Sequence, residues 1–354
     1  MIYRATSAEI HEYKHSPRVS QSYLKKVVLR GKAADVKFVT QVMGDVVDLH
    51  LTHPDSEDDF IAVYNGTVPP EPMQVVLIKT IEYLFETNRI TSDLNDHKHF
   101  VMLQAGYEEY CVKTSRDKLW AKIVNEGHYW WQFQVENLGK TVVSHNDRSF
   151  AVTIAEKAKK HPVTAPYFPE YDIQGRDFYY QLPLYFEFGG VECKGLVDQV
   201  IVSHVKKQII VHDLKTIWET SRNTLFEQIR SNRYAFQLSF YAEGARQYFA
   251  DLIAQGYTIS CGWIFIPKNA KNFHPEIVPC TEKMLQWEKF GGKVTGRIYE
   301  HEAPPFMVRT GYVTKGWIDA LRIYSEVKKR NLTSFNIQST LPITPAESES
   351  LFFV

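Results

Sequence analysis

Apolar residues concentrate in two neighbouring stretches in the second half of the chain. Both stretches, 196–203 and 208–216, are rich in Val and Ile, and the polar segment 204–207 between them has the length of a hairpin turn. Each stretch carries an acid where an apolar residue is expected, namely Asp198 in the first and Asp213 in the second. The pattern therefore predicts a β-hairpin that holds two carboxylates.

Helical spacing of apolar residues dominates the rest of the chain. Residues three and four positions apart share a helix face, and this spacing predicts helices over 17–30, 42–51, 73–87, 97–114, 116–137, 146–161, 220–250, 284–300 and 316–329. The helix over 220–250 is expected to break near 230–232. Further strands are predicted over 60–64, 178–188 and 261–267. Mixed helices and strands of this kind indicate the α/β (α+β) class.

Composition and charge do not by themselves indicate a partner. A chain of 354 residues can form one elaborated domain or two. Its 41 basic and 41 acidic residues give a formal net charge of zero, so any attraction for nucleic acid must come from local clusters. Basic clusters at 25–32, 157–160 and 328–330 are each typical of a solvated helix face.

The sequence contains no pattern for a membrane segment or a zinc ribbon. The N-terminal stretch lacks the apolar run of a signal peptide, and no segment approaches the ~20 apolar residues of a membrane span. The four cysteines form no CxxC pair. We therefore expect reduced thiols, no membrane partner and a cytoplasmic location, in the host cytoplasm if the protein is viral.

The hairpin brings together groups that suit a divalent cation. Side chains alternate along a strand, so Asp213 and Lys215 point to the same face, and Asp198 falls within about two positions of Asp213 on the neighbouring strand. Two carboxylates about 5 Å apart repel each other unless a cation lies between them. Hard divalent ions prefer oxygen ligands, and a lysine beside them can bind a phosphate oxygen or orient water.

Two motifs in this order resemble a known family. Asp198, followed after fourteen residues by Asp213-Leu214-Lys215, resembles the D…(D/E)xK signature of the PD-(D/E)xK nuclease superfamily. Gln237 and Tyr241, four positions apart on a predicted helix, match the QxxxY motif of its RecB-like and RecE-like exonucleases. The resemblance implies a restriction-endonuclease-like core, a central mixed sheet flanked by helices.

The resemblance also implies a domain layout. It makes 1–354 a single elaborated nuclease domain, with core segments over 17–66 and 176–330. The helical stretch 72–162 is then a large insertion. Some QxxxY nucleases hold an iron–sulfur cluster with a tight group of cysteines, and the scattered cysteines here predict that none is present.

Site residues follow from the same comparison with the family. Asp198, Asp213 and the backbone carbonyl of Leu214 are expected to hold Mg²⁺ or Mn²⁺, with Lys215 beside the ion. Gln237 and Tyr241 are expected to close the site and to contact DNA. Arg233 is expected one helical turn before Gln237, on the same face, as a phosphate contact. These catalytic, metal-binding and DNA-binding assignments concern Asp198, Asp213, Leu214, Lys215, Arg233, Gln237 and Tyr241.

Two positions depart from the family pattern. The family usually places a metal-binding histidine four residues after a glycine, but here Gly44 is followed by Asp48. Asp48 is therefore the candidate third ligand, with His50 and His53 as nearby competitors. The family often carries a glutamate on the preceding strand, and the nearest equivalents here are Gln181 and Glu187. For Glu187, as for Glu192, the sequence favours a plain surface acid.

These features predict a metal-dependent deoxyribonuclease, an exonuclease that processes DNA ends in recombination or repair. Two alternatives stay open at this point. One is a DNA-binding or assembly module on a decayed nuclease fold, which the missing histidine favours. The other is a restriction-type endonuclease. The resemblance to RecE-like enzymes further implies a homo-oligomer and a single-strand annealing protein as a partner.

Overall fold

A computed structural model describes residues 1–29, 39–111, 113–218, 220–293, 313–314 and 316–329 of the chain. The chain divides into two compact units. Unit 1 comprises Met1–Ala33 and Ala158–Val354, and unit 2 comprises Ala34–Lys157. None of the helices in the described ranges combines the length and the apolar character that crossing a membrane requires.

Unit 1 is built on a mixed sheet. Its strands are β1 (Ile2–Arg4), β2 (Val19–Ser20), β5 (Arg176–Phe188), β6 (Val191–Ser203), β7 (Gln208–Ile217), β8 (Thr258–Pro267) and β9 (Glu276–Cys280). The order across the sheet is β1-β5-β6-β7-β8-β9, and β2 also pairs with β6. β6 runs antiparallel to both β5 and β7, whereas β1 is parallel to β5 and β8 is parallel to β7. The predicted central mixed sheet flanked by helices is therefore present.

Helices flank this sheet. They are α1 (Ser7–His15), α2 (Gln21–Leu29), α9 (Arg222–Ser231), α10 (Tyr234–Tyr248), α11 (Ala250–Ala254), α12 (Glu282–Phe290) and α13 (Trp317–Lys329). A short strand pair, β10 (Gly292–Lys293) with β11 (Val313–Thr314), and a 3₁₀ turn at Ala165–Tyr167 complete the described part of the unit.

Helix α10 lies at the centre of the unit 1 core. It packs against β5, β6, β7 and β8, and it is buried on most sides, which suits a helix that is apolar nearly all round. Phe236 and Phe240 on α10 share the core cluster with Ile209 and Val211 of β7. Asp213 has the same strand parity as Ile209 and Val211, so α10 covers the face of the sheet that carries this acid.

Unit 2 consists mainly of helices. Its elements are α3 (Val39–Thr52), α4 (Glu57–Phe60), β3 (Ile61–Tyr64), α5 (Glu71–Glu86), a 3₁₀ helix (Leu94–His97), α6 (Lys98–Tyr107), α7 (Arg116–Glu136) and β4 (Thr141–Ser144). Helix α8 (His145–Lys160) continues from it into unit 1. Trp130 and Trp131 of α7 anchor the core together with Leu77 of α5.

Unit 2 includes elements that precede the predicted insertion, 72–162, which itself stays a prediction. Strand β3 pairs with β4 in parallel along its whole length, from Ile61 opposite Thr141 to Tyr64 opposite Ser144, and α3 packs on β4. Both β3 and α3 were expected in the core segment 17–66. They join the helical stretch because β4, which periodicity did not reveal, provides their partner.

Two predicted helices end earlier in the structure than in the sequence prediction. Helix α12 ends at Phe290 rather than at 300, because Gly291 adopts a φ of 70° and closes it. The helix predicted over 97–114 is α6, which ends at Tyr107. The long helix predicted over 220–250 is broken as expected, and the break lies between Ser231 and Tyr234.

Candidate active site

The predicted hairpin is formed by β6 and β7. Residues 204–207 make its turn, and the ladder runs from the Ser203–Gln208 pair to the Gln199–His212 pair. The next residues along the two strands are Asp198 and Asp213. The two acids thus come from neighbouring positions on adjacent strands, as the sequence predicts.

The sheet is distorted at Asp198. On the β5 side, Tyr180 pairs with Gln199 and Leu182 with Val197, while Gln181 between them adopts a left-handed φ of 50°. The Gln181 side-chain amide donates to Asp198 Oδ1 at 3.4 Å. On the β7 side, the backbone N–H of Leu214 donates to Asp198 Oδ2 at 2.9 Å. Both oxygens of Asp198 are therefore oriented by neighbouring strands.

Asp213 is fully buried, with 0 % of its surface exposed. Its Oδ1 accepts a hydrogen bond from Lys215 Nζ at 2.7 Å. Its Oδ2 is buried and has no hydrogen-bond partner among the residues that the structure describes. Leaving a buried polar atom unsatisfied costs free energy, and carboxylate oxygens are the ligands that hard divalent cations prefer. A bound cation would satisfy this atom.

Burial and neighbouring charges shift the pKa values of the residues at the site. Burial, followed by the negative charge of Asp213, raises the pKa of Asp198 to about 7. Burial alone would lower the pKa of Lys215, but the carboxylates of Asp213 and Asp198 raise it by more, so the net shift is upward. Lys215 is therefore positively charged at neutral pH, and a cation near Asp198 would favour the ionised carboxylate.

The glutamine and tyrosine of the QxxxY pattern lie together on α10. Gln237 Nε2 donates to the hydroxyl oxygen of Tyr241 at 3.0 Å, as their spacing of four residues allows. Tyr241 packs over Gly195 of β6, where an added Cβ would lie 3.0 Å from the tyrosine ring. Burial and the nearby Tyr13 and Asp198 raise the pKa of Tyr241 well above its ordinary value, so its hydroxyl stays protonated.

Two residues that sequence reasoning did not assign to the site lie beside Lys215. The ring centroid of Tyr234 is 5.0 Å from Lys215 Nζ. Lys25 of α2 donates to the backbone carbonyl of Asn232, and burial together with the positive charges of Lys215 and Arg233 lowers its pKa to about 8. The prediction that Lys25 belongs to a solvated helix face is therefore wrong. The position of Tyr234, three residues before Gln237, is the signal that could have revealed it.

The predicted placement of Arg233 is wrong. It does not lie within the helix one turn before Gln237, because α10 begins at Tyr234 and Arg233 adopts a left-handed φ of 48° before it. Its guanidinium forms an ion pair with the buried carboxylate of Glu288 on α12, and it lies 5.0 Å from the ring of Phe236. A phosphate contact by Arg233 stays a prediction, and Glu288 competes for the same group.

The remaining predicted ligands belong to unit 2. Asp48 is on α3 of unit 2, where its carbonyl accepts a hydrogen bond from the Thr52 hydroxyl at 2.7 Å, and its role as a third ligand stays a prediction. His50 contacts Glu57 at 3.5 Å, and His53 lies 2.8 Å from Thr52 Oγ1. Throughout the described ranges, no group of three or more His, Cys, Asp and Glu residues is arranged to hold a metal ion.

The two candidate equivalents of the family glutamate differ in position. Gln181 contacts Asp198, as described above, whereas Glu187 is exposed near the end of β5, opposite the exposed Glu192. The reading of Glu187 and Glu192 as surface acids agrees with this exposure. Gln181 is the residue at the site, but its neutral amide donates a hydrogen bond where a glutamate would bring a further negative charge.

Comparisons with known proteins provide little further constraint. No protein-family model matches this chain, and no curated protein matches it either. A solved structure described as a "putative exonuclease" from Eubacterium rectale is similar to it, with 16% identity over 53% of this chain and 67% of that chain, and a TM-score of 0.30. A likeness at that TM-score carries no argument, so the functional inference depends on the geometry of the site.

Proposed function

We propose that this protein is a metal-dependent deoxyribonuclease of the PD-(D/E)xK type, an exonuclease that processes DNA ends in recombination or repair. The observation that carries the proposal is the fully buried carboxylate of Asp213. One of its oxygens accepts from Lys215 at 2.7 Å, and the other has no hydrogen-bond partner in the described part of the chain. A structural ion pair between Asp213 and Lys215 leaves the second oxygen unsatisfied. A metal ion bound beside the ammonium group would contact that oxygen, so the arrangement suits a metal site better.

Mg²⁺ or Mn²⁺ fits this set of donors. Asp198, Asp213 and the carbonyl of Leu214 would hold it, because carboxylate and carbonyl oxygens are the ligands of hard cations. When bound, such an ion lowers the pKa of a coordinated water and polarises the phosphate. Gln181 and the Leu214 amide orient Asp198 by hydrogen bonds, so this ligand is held in place before an ion binds.

The other side chains supply positive charge and hydrogen-bond donors. Lys215 keeps its proton at neutral pH and can donate to a non-bridging oxygen of the scissile phosphate, where negative charge develops in the transition state. Tyr241 is protonated and accepts from Gln237, so its own O–H is available as a donor toward the site. Gln237 and Tyr241 would close the site above the hairpin and touch the DNA backbone.

A digestion assay tests the proposal. The parent chain and the variants Asp198→Asn, Asp213→Asn and Lys215→Met are incubated with linear duplex DNA labelled at the 5′ or the 3′ end, with and without Mg²⁺ or Mn²⁺. We expect the parent to release nucleotides only with metal. Each variant should lose at least ~100-fold in rate, because each removes an interaction made in the transition state. Cleavage by Asp213→Asn at the parent rate would overturn the proposal.

Controls and a second substrate separate the alternatives. The matched controls are Asp251→Asn and Lys271→Met, since both residues are exposed and neither belongs to β6, β7 or α10. They should cleave as the parent does. Covalently closed circular DNA should survive, and its cleavage would indicate a restriction-type endonuclease. DNA binding by the parent without metal-dependent cleavage would identify a binding module on a decayed nuclease fold.

A further inference from the structure

The ammonium group of Lys215 is held on more than one side. It donates to Asp213 Oδ1 at 2.7 Å, and it lies 5.0 Å from the ring centroid of Tyr234. An ammonium at this distance from an aromatic ring is attracted by the negative face of the ring. Because a lysine side chain has four rotatable carbon–carbon bonds, contacts of this kind decide which of its many positions is populated.

A local break in the backbone places Tyr234 there. Helix α9 ends at Ser231, α10 begins at Tyr234, and Arg233 between them has φ 48° and ψ 49°. A non-glycine residue in this left-handed region is strained, so the surrounding structure must hold it there. Residues kept in such conformations concentrate at functional sites. Tyr234, the residue directly after the break, is therefore a candidate for a functional role.

Contacts from three parts of unit 1 stabilise the break. Lys25 of α2 donates to the backbone carbonyl of Asn232. Arg233 pairs with the buried Glu288 of α12. The Asn232 side-chain amide donates to the hydroxyl of Tyr234 at 3.2 Å, which ties the tyrosine to the break itself. The position of Tyr234 is therefore determined independently of Lys215.

We propose that Tyr234 is a positioning residue that holds the ammonium of Lys215 in its working place beside Asp213. This inference rests on the proposed nuclease function, in which Lys215 donates to the phosphate. Tyr234 acts through Lys215 rather than on the DNA. It restricts the positions of the ammonium, and a fixed donor accelerates the reaction because less of its freedom is lost at the transition state.

Three variants test the role of the ring. Tyr234→Phe keeps the ring and loses the hydroxyl, Tyr234→Leu removes the ring, and Tyr248→Leu removes a half-exposed tyrosine from the last turn of the same helix. We expect kcat for DNA cleavage to stay within about 2-fold of the parent in Tyr234→Phe and Tyr248→Leu. In Tyr234→Leu it should fall about 10-fold while KM changes less than about 2-fold. Equal kcat in the Phe and Leu variants would overturn the proposal.

A double-variant cycle excludes a merely structural role. In a Lys215→Met background, the further change Tyr234→Leu should lower the residual rate by less than about 2-fold, because the group that the ring positions is already gone. A tyrosine that only supports the fold would lower the rate by the same factor in both backgrounds, and that result would contradict the proposal. Tyr234→Met serves as a second ring-less variant if Tyr234→Leu folds poorly.

A structural measurement keeps this inference separate from the proposed function. If the parent chain shows no metal-dependent cleavage, the nuclease proposal fails. The positioning role of Tyr234 is then tested by crystal structures of the parent, Tyr234→Phe and Tyr234→Leu. We expect Lys215 Nζ to stay within hydrogen-bond distance of Asp213 in the first two and to leave it in the third. The same Lys215 position in all three would overturn the positioning role.

Discussion

Gly195 allows close packing at the site. It lies on β6, and the ring of Tyr241 rests against it, so that an added Cβ would be 3.0 Å from Tyr241 Cδ1 and 3.1 Å from Cε1. Contacts this short between a Cβ and a ring require one of them to move. Tyr241 accepts the hydrogen bond from Gln237, so a side chain at position 195 would disturb that pair.

Replacing Gly195 with alanine should therefore weaken both packing and catalysis. We expect Gly195→Ala to destabilise the protein by about 1 kcal/mol and to lower the cleavage rate about 10-fold, through displacement of Tyr241. Urea unfolding and the digestion assay measure the two effects. The matched control is Gly106→Ala on α6, where an added Cβ meets no atom within 4 Å. Gly195→Ala cleaving as fast as Gly106→Ala would show that the close approach of Tyr241 is not needed.

Residues of the site differ in how far the sequence reveals them. Asp198, Asp213 and Lys215 are predictable because strand alternation and hairpin pairing are local, and Gln237 and Tyr241 because a helix fixes a spacing of four. The sequence indicates Gln181 only as one of two candidates on the preceding strand, and it does not indicate that Lys25 and Tyr234 make contacts at the site. These depend on which distant elements pack together and on backbone conformations at Gln181 and Arg233 that periodicity does not encode.

Among the elements, α4 and α8 of unit 2 are joined by an ion pair. The guanidinium of Arg148 on α8 donates to both carboxylate oxygens of Glu57 on α4, with Nη2 at 2.6 Å from Oε2. The hydrogen bonds from Arg148 lower the pKa of Glu57, although burial opposes the shift. A carboxyl with a lowered folded-state pKa stabilises the folded state above its unfolded pKa, and this contribution is lost as the pH falls through the folded pKa.

Because of this ion pair, the difference in stability between Glu57→Gln and the parent should depend on pH. We expect this variant to be less stable than the parent by about 1 kcal/mol at pH 7 and the difference to shrink as the pH falls below the ordinary pKa of a glutamate. Urea unfolding followed by circular dichroism at several pH values measures it. Glu126→Gln, at an exposed position on α7, is the control with little effect at any pH. A destabilisation of Glu57→Gln that is the same at pH 7 and pH 3 would contradict this account.

Long helices can be predicted from the sequence more readily than short strands. Long amphipathic helices such as α5, α7 and α13 repeat their apolar spacing over several turns, and the spacing locates them. Strands β1, β2 and β4 have two to four residues, too few to show a period. Each pairs with a strand distant in sequence, β1 with β5, β2 with β6 and β4 with β3, so only the tertiary structure defines them.

On the scale of the whole molecule, unit 1 contains every predicted site residue except Asp48. The hairpin and α10 belong to one core cluster, in which Val197, Val211 and Phe236 are buried. Close packing in this cluster restricts the positions that its side chains can adopt. The catalytic arrangement that we propose is therefore a property of the core of unit 1, and an ion bound there should depend on the partly buried Asp198 and the fully buried Asp213.

The most direct test is a calorimetric titration of Mn²⁺ into the parent chain, Asp198→Asn, Asp213→Asn and the exposed control Asp251→Asn, without DNA. We expect the parent and the control to bind the ion with the same affinity. Asp198→Asn and Asp213→Asn should each bind at least about 10-fold more weakly, because each loses one anionic ligand. Binding of Mn²⁺ by Asp213→Asn with the affinity of the parent, or no binding by the parent, would contradict the account.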